Sequence, residues 1–233
     1  MSHNLSGPAI DAVHPILIGR VDGSAALADA VRRLIELCTA TTAPDALTLA
    51  AARELEAIAD VLQQHVPDPL PGKTWLPEVQ RTDLAASMAT RTPFDLMVGR
   101  HSPLAPPLTV SFIGKRAVLT GSFSRPYEGP PGCVHGGALA ASFDLACAAA
   151  NFVADVQGPT VRLDITYRRP TALNTPCTFE AEVEELDGSR VRTVGRLVQD
   201  GQVTVEAVGV FAVMSREDLE RLLERAKTAA SPQ

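Results

Sequence analysis

Residues 129–151 read GPPGCVHGGALAASFDLACAAAN. Two glycines follow His135 and open a run that is apolar or small at nearly every position, the most apolar part being Ala138 to Ala154. A helix lying on a protein surface shows an apolar stripe and a polar back, and one that is apolar all round has to be wrapped. The run is too short for a bilayer span, which takes about 20 largely uncharged residues, and it carries Asp144 in its middle. The expectation is therefore a buried helix from Gly136 to about Val153. A carboxylate midway along such a helix is costly unless it is paired or functional, so Asp144 is the first candidate for chemistry.

On both sides of this helix the apolar period is two. Strands are expected at Leu108–Ile113 and Ala117–Phe123 before it, and at 160–168, 177–186, 190–199 and 202–213 after it. Phe179, Ala181 and Val183 alternate with Glu180, Glu182 and Glu184, the pattern of a strand with one face on a core. Asp187-Gly188 and Asp200-Gly201 read as two-residue hairpin turns. Ser215 with Asp218 three residues on reads as the cap of a short C-terminal helix through Leu219, Leu222 and Leu223. Two strands, a long buried helix and a four-strand meander predict an α+β domain in which a curved antiparallel sheet surrounds a central helix.

Upstream the chain changes character. Residues 66–107 hold VPDPLPGKTWLP, TPFD and SPLAPPL, and proline at this density excludes regular helix. Trp75, Leu76, Phe94, Leu96 and Met97 are apolar enough to dock this connection on a surface. Further upstream, Leu27, Val31, Leu34, Ile35 and Cys38 recur at helical spacing after a possible N-cap, Ser24. Leu47, Ala51, Leu55, Ile58 and Leu62 do the same after Pro44, a residue suited to a first helical turn. The short link Thr39–Ala43 predicts an antiparallel helical hairpin. The division expected is an N-terminal helical hairpin extension (1–65), a proline-rich connection (66–92), the sheet-and-helix domain (93–213) and a C-terminal helix and tail (214–233).

A net charge of −6 with no Lys/Arg run argues against nucleic acid or an anionic membrane as partner. Ser24–His65 carries three arginines and no lysine, which does not suit a DNA-reading helix pair. The four cysteines, at 38, 133, 147 and 177, form no C-x-x-C pair and no zinc-spaced cluster with histidine. No metal is expected, and scattered free cysteines point to a reducing, cytoplasmic setting. The first 19 residues lack the basic start and long apolar stretch of a signal peptide.

His135-Gly136-Gly137 with Asp144 nine positions after the histidine resembles the PaaI-like branch of the hotdog-fold acyl-CoA thioesterases. Tyr127-Glu128-Gly129-Pro130-Pro131-Gly132, Thr160-x-x-Leu163, Tyr167-Arg168-Arg169-Pro170 and Pro103-Leu104-Ala105-Pro106-Pro107-Leu108 are similar to that family as well. The likeness spans roughly residues 93–213. It implies a hotdog fold, a homodimer or dimer of dimers, acyl-CoA as substrate and no separate cofactor. It also implies roles for His135, Gly136, Gly137, Asp144 and Thr160, the last standing where relatives place a Ser or Thr that holds water near the acid. Where some relatives carry a polar amide six residues before the histidine, this chain has Gly129. Arg168 and Arg169 are candidates for the phosphates of coenzyme A, or simply a solvated strand end.

The chemistry agrees with that pattern. A helix N-terminus presents unpaired N–H groups and a partial positive charge, and amides aimed at a carbonyl oxygen stabilise the oxyanion of thioester hydrolysis. Gly137 N–H is the expected donor, with Asp144 activating water or attacking directly. Seven residues along one helix separate them by about 10 Å, so one thioester carbon cannot meet both. The acid must then meet the oxyanion hole of a second subunit. Two other readings stay open: a non-catalytic acyl-CoA binding or sensing module, and a hotdog enoyl-CoA hydratase or dehydratase.

Overall fold

The computed structural model describes residues 13–72, 88, 91–215, 217–218 and 221. A 3₁₀ turn at Pro15–Leu17 leads into α1 (Val21–Cys38) and α2 (Asp45–Gln63). The domain proper runs β1 (Thr109–Ile113), β2 (Arg116–Gly121), a 3₁₀ turn at Arg125–Tyr127, α3 (Gly136–Val153), β3 (Thr160–Tyr167), β4 (Cys177–Leu186), β5 (Arg190–Gln199) and β6 (Gln202–Ala212). All six strands pair antiparallel in the order β1-β2-β4-β5-β6-β3, and α3 packs on β2 to β6. This is the hotdog arrangement, an α+β fold with the sheet around its central helix.

The register shows how the sheet accepts the helix. One row across it is Ala117, Ala181, Gly195, Ala207 and Ile165. Four of these side chains are small, and the space they leave holds Phe143 of α3. A Cβ added at Gly195 would stand 3.1 Å from that ring. The next row in register is Leu119, Phe179, Leu197, Val205 and Tyr167, its first four members fully buried. Phe143 and Phe179 meet edge to face at 5.0 Å, an arrangement aromatic pairs favour. Bulky and small rows alternate, as close packing of a round helix on a pleated surface requires. The polar pair inside this core, Thr193 Oγ1 donating to Asn151 Oδ1 at 2.5 Å, satisfies both buried groups.

Several expectations need correction. Ser24 does not cap α1: the helix starts at Val21, Ser24 N–H bonds Arg20 C=O at 2.8 Å, and the Ser24 side chain is buried inside the helix. The buried face of α1 runs through Ser24 and Ala28, while Leu27 is exposed; small residues let the helix lie close to the body. Nor do α1 and α2 form a packed hairpin. No residue of α2 is buried, and Leu47, Leu55, Ile58 and Leu62 all face solvent in the single chain. Pro44 is the extended N-cap of α2 (φ −56°, ψ 147°).

At the β4–β5 turn the tip is Gly188-Ser189, one residue later than expected. Asp187 Oδ1 accepts the N–H groups of Ser189 and Arg190 at 3.0 and 2.6 Å, an Asx turn that moves the reversal forward. Asp200-Gly201 is the two-residue turn expected, with both residues at positive φ (50° and 72°). Ser215 Oγ accepts the N–H of Asp218 at 3.1 Å as a cap and donates to the Asp218 carboxylate at 2.6 Å; Leu219, Leu222 and Leu223, like Trp75 and Leu76, lie outside the described residues.

Candidate active site

The loop 124–135 carries His135 to the start of α3. It is closed by His135 N–H to Tyr127 C=O at 2.8 Å, Gly129 N–H to Cys133 C=O at 2.9 Å and Gly132 N–H to the Glu128 carboxylate at 2.7 Å. Glu128 is thus a loop brace. Gly129 is required by close approach, because a Cβ there would stand 2.8 Å from His135 Cα. That accounts for glycine where some relatives have an amide side chain.

His135 is the N-cap of α3. It is extended (φ −62°, ψ 132°), and its Nδ1 accepts the N–H of Gly137 at 2.9 Å. Accepting there requires Nδ1 to be unprotonated, so the neutral ring carries its proton on Nε2, as a donor. The Gly137 amide expected as oxyanion donor is therefore already bonded within the chain. Ala138 and Leu139 N–H turn back to His135 C=O at 3.0 and 3.3 Å. Among the described residues, the amide of this helix start with no acceptor is that of Gly136.

Tyr167 joins the helix start in a role that was not legible from sequence. Its place at the end of the buried row turns it to the helix side of the edge strand β3. Its hydroxyl donates to Gly136 C=O at 2.8 Å, and a Cβ on Gly136 would come within 3.1 Å of that oxygen. The 136–137 peptide is thus held at both ends: its carbonyl by Tyr167, its N–H by His135. A signal was available, since strand alternation puts Tyr167 on the same face as Ile165; what sequence lacked was the register that places it at the helix start.

Asp144 lies two turns along α3 on the same face as Gly137, on a stripe (Gly137, Ala140, Ala141, Asp144, Ala148) that is exposed or only partly buried. Thr160, at the start of β3, donates its hydroxyl to Asp144 Oδ1 at 2.6 Å. The predicted residues therefore fall into two groups on one open face: His135, Gly136 and Gly137 at the helix start, and Asp144 with Thr160 further along. Burial pushes the Cys147 thiol, one turn beyond Asp144, up to about 12, with the Asp144 charge adding to the effect, so it is no nucleophile.

The arginines do not join this face. Arg168 follows Tyr167 and so points to the other side of the sheet, where its Nε donates to Glu206 at 2.7 Å. It lines an open groove of about 510 Å³ there with Arg116, Asp164, Glu180, Arg196 and Glu206. Arg169 is exposed at the strand end.

Fold and site together describe a hotdog domain with a helix-start amide cluster and a hydroxyl-bonded carboxylate on one open face. Residues 131–206 match the profile of the thioesterase superfamily. A crystal structure of a thioesterase superfamily protein is 30% identical, covering 81% of this chain and 94% of its own, with a TM-score of 0.71. The chain belongs to the thioesterase superfamily. The shared part is larger than residues 66–233 can supply, so it includes some of the N-terminal extension. The PaaI protein of the E. coli phenylacetic acid degradation operon is 18% identical over 46% of this chain and 80% of its own, with a TM-score of 0.44. A hypothetical thioesterase protein from Streptococcus pneumoniae, solved with coenzyme A, is 16% identical over 46% of this chain and 86% of its own, also at 0.44. No curated protein matches the chain.

Proposed function

We propose that the protein hydrolyses acyl-CoA thioesters to the free acid and CoA, as a PaaI-like enzyme. The observation that carries this reading is the Thr160–Asp144 hydrogen bond at 2.6 Å on the unburied stripe of an otherwise buried helix. A carboxylate oriented by one hydroxyl on a half-buried stripe of the helix is suited to take a proton from water. The water oxygen adds to the thioester carbon as its proton passes to Asp144. The carbonyl oxygen becomes an oxyanion, received by Gly136 N–H, with His135 Nε2–H as a second donor and the positive end of α3 behind them. The intermediate collapses, the C–S bond breaks, and the CoA sulfur takes the proton back from Asp144.

Two turns of helix separate the acid from the amide cluster, so the site is composite. Asp144 and Thr160 of one subunit serve the helix start of the other across a two-fold axis. Arg169 is the arginine assigned to a CoA phosphate; Arg168 is committed to Glu206.

Hydrolysis of a panel of acyl-CoAs, followed by thiol release, tests the reading. Wild type should turn over at least one chain length, and Asp144→Asn, nearly isosteric, should stay folded and lose about 10² or more in rate. No turnover across the panel, or full turnover by the variant, rules it out.

A further inference from the structure

The helix α1 lies outside the strands and central helix that define the fold, yet its C-terminal end is seated on the loop that carries His135. Glu36, in its last turn, accepts the Ser124 hydroxyl at 2.6 Å. Arg125 Nε donates to Thr39 C=O, the C-cap of α1, at 2.8 Å. The last carbonyls of a helix lack internal partners and carry partial negative charge, so an arginine from the loop is matched to that end. Ser124 and Arg125 begin the 3₁₀ turn whose last residue, Tyr127, accepts the N–H of His135 at 2.8 Å.

A second path reaches the same residue. Arg32 donates to the carbonyls of Arg100 and Ser102, each at 2.9 Å. Asp29 takes both guanidinium nitrogens of Arg100 at 2.6 and 2.7 Å. The segment so held continues to Leu104, whose carbonyl accepts the Tyr127 hydroxyl at 2.8 Å. Tyr127 is thus held from both sides by elements tied to α1, and it holds His135 in turn.

We infer that α1 positions the active-site loop: through Glu36–Ser124 and Arg125–Thr39 it fixes the 3₁₀ turn that sets His135, and through His135 the helix-start amides. Glu36, Ser124 and Arg125 are positioning residues that touch no reacting atom. This rests on the thioesterase reading above for its catalytic consequence, but not for its structural one.

Two readouts separate these. Glu36→Ala and Arg125→Ala should each speed amide hydrogen exchange across residues 126–137 and lower kcat several-fold, to about ten-fold together, with KM little changed; this is the scale of losing one net hydrogen bond. Glu36→Gln keeps an acceptor for the Ser124 hydroxyl and should restore both. Ser124→Ala, made from the loop side, should match Glu36→Ala, and the pair combined should lose no more than either alone. Unchanged exchange in 126–137 would overturn the brace. Faster exchange with unaltered kcat would overturn its effect on the site, as would a loss that Glu36→Gln does not rescue. If the wild type hydrolyses no acyl-CoA, the functional reading fails, and the exchange arm still decides whether α1 holds the loop.

Discussion

The 136–137 peptide shows how a pair of glycines becomes chemistry. Its carbonyl is taken by Tyr167 and its N–H by His135, while the preceding peptide, which carries Gly136 N–H, is held through His135 C=O by the N–H groups of Ala138 and Leu139; the two adjoining planes together limit rotation about Gly136. Tyr167→Phe removes the first of these bonds without changing the ring that lies over Gly136. It is expected to lower kcat about five-fold, the scale of one net hydrogen bond, with KM and thermal stability close to wild type. A steady-state comparison on the preferred acyl-CoA checks this, and a change confined to KM would assign Tyr167 to substrate binding instead. The cysteines supply a second test at this scale. Burial raises the Cys147 thiol to about 12 and the Cys177 thiol to about 11, whereas Cys38 is exposed. The thiolate is the reactive form, so titration of the native protein with a thiol reagent should detect Cys38 and Cys133 at most, and all four after denaturation. Rapid reaction of Cys147 in the native state would mean that α3 is not packed as described.

At the scale of elements, alternation and turn chemistry did most of the work. The six strands and α3 fall where period two and the apolar run place them, to within two residues at their ends, because each such segment has a single arrangement that buries its apolar side. The β5–β6 hairpin is the sharpest case. Gly201 sits at φ 72°, a conformation that costs a residue with a Cβ about 1 kcal/mol. Gly201→Ala should therefore lower the free energy of unfolding in urea by about that amount, while Gly23→Ala, in the first turns of α1, should not lower it. Equal effects at both positions would mean that Gly201 is not held at positive φ. The helices α1 and α2 were legible as helices but not in their packing. Periodicity names a face and not its neighbour, so nothing in Leu47, Leu55, Ile58 and Leu62 reveals that the chain itself leaves them uncovered.

For the whole molecule the decisive relation is the one between Gly136 and Asp144, which one chain holds two helical turns apart. Two inactive variants test whether a site is shared between subunits. Asp144→Asn lacks the base. Gly136→Pro lacks the amide donor; proline is suited to a first helical position and the extended His135 before it is compatible, while its added carbon presses on Tyr167 of the same subunit, so the lesion stays at one helix start. Refolded together, half the dimers should be mixed, and each mixed dimer should have one site with both lesions and one with neither. About a quarter of wild-type activity should return by this two-fold logic. Mixed dimers confirmed by mass spectrometry, both variants folded, and no recovered activity would place each site within a single chain.

By itself the sequence determined the fold class and placed the candidate residues His135, Gly136, Gly137 and Asp144 along one helix. A helix that is apolar on almost every side has to be wrapped, strands of period two are what can wrap it, and an Asp inside that helix has no inexpensive structural explanation. The tertiary structure decided which groups meet. That Thr160 bonds Asp144, that Tyr167 reaches Gly136, that Gly137 is already satisfied by His135, and that Arg168 faces away with Glu206 all depend on strand register and on the path of the loop 124–135. Apart from the His135–Gly137 bond, a local cap between residues two positions apart, these are long-range choices, in which residues 16 to 38 positions apart are brought together. No local pattern encodes them, because the energy that selects the register comes from packing the whole sheet against α3 rather than from any one segment.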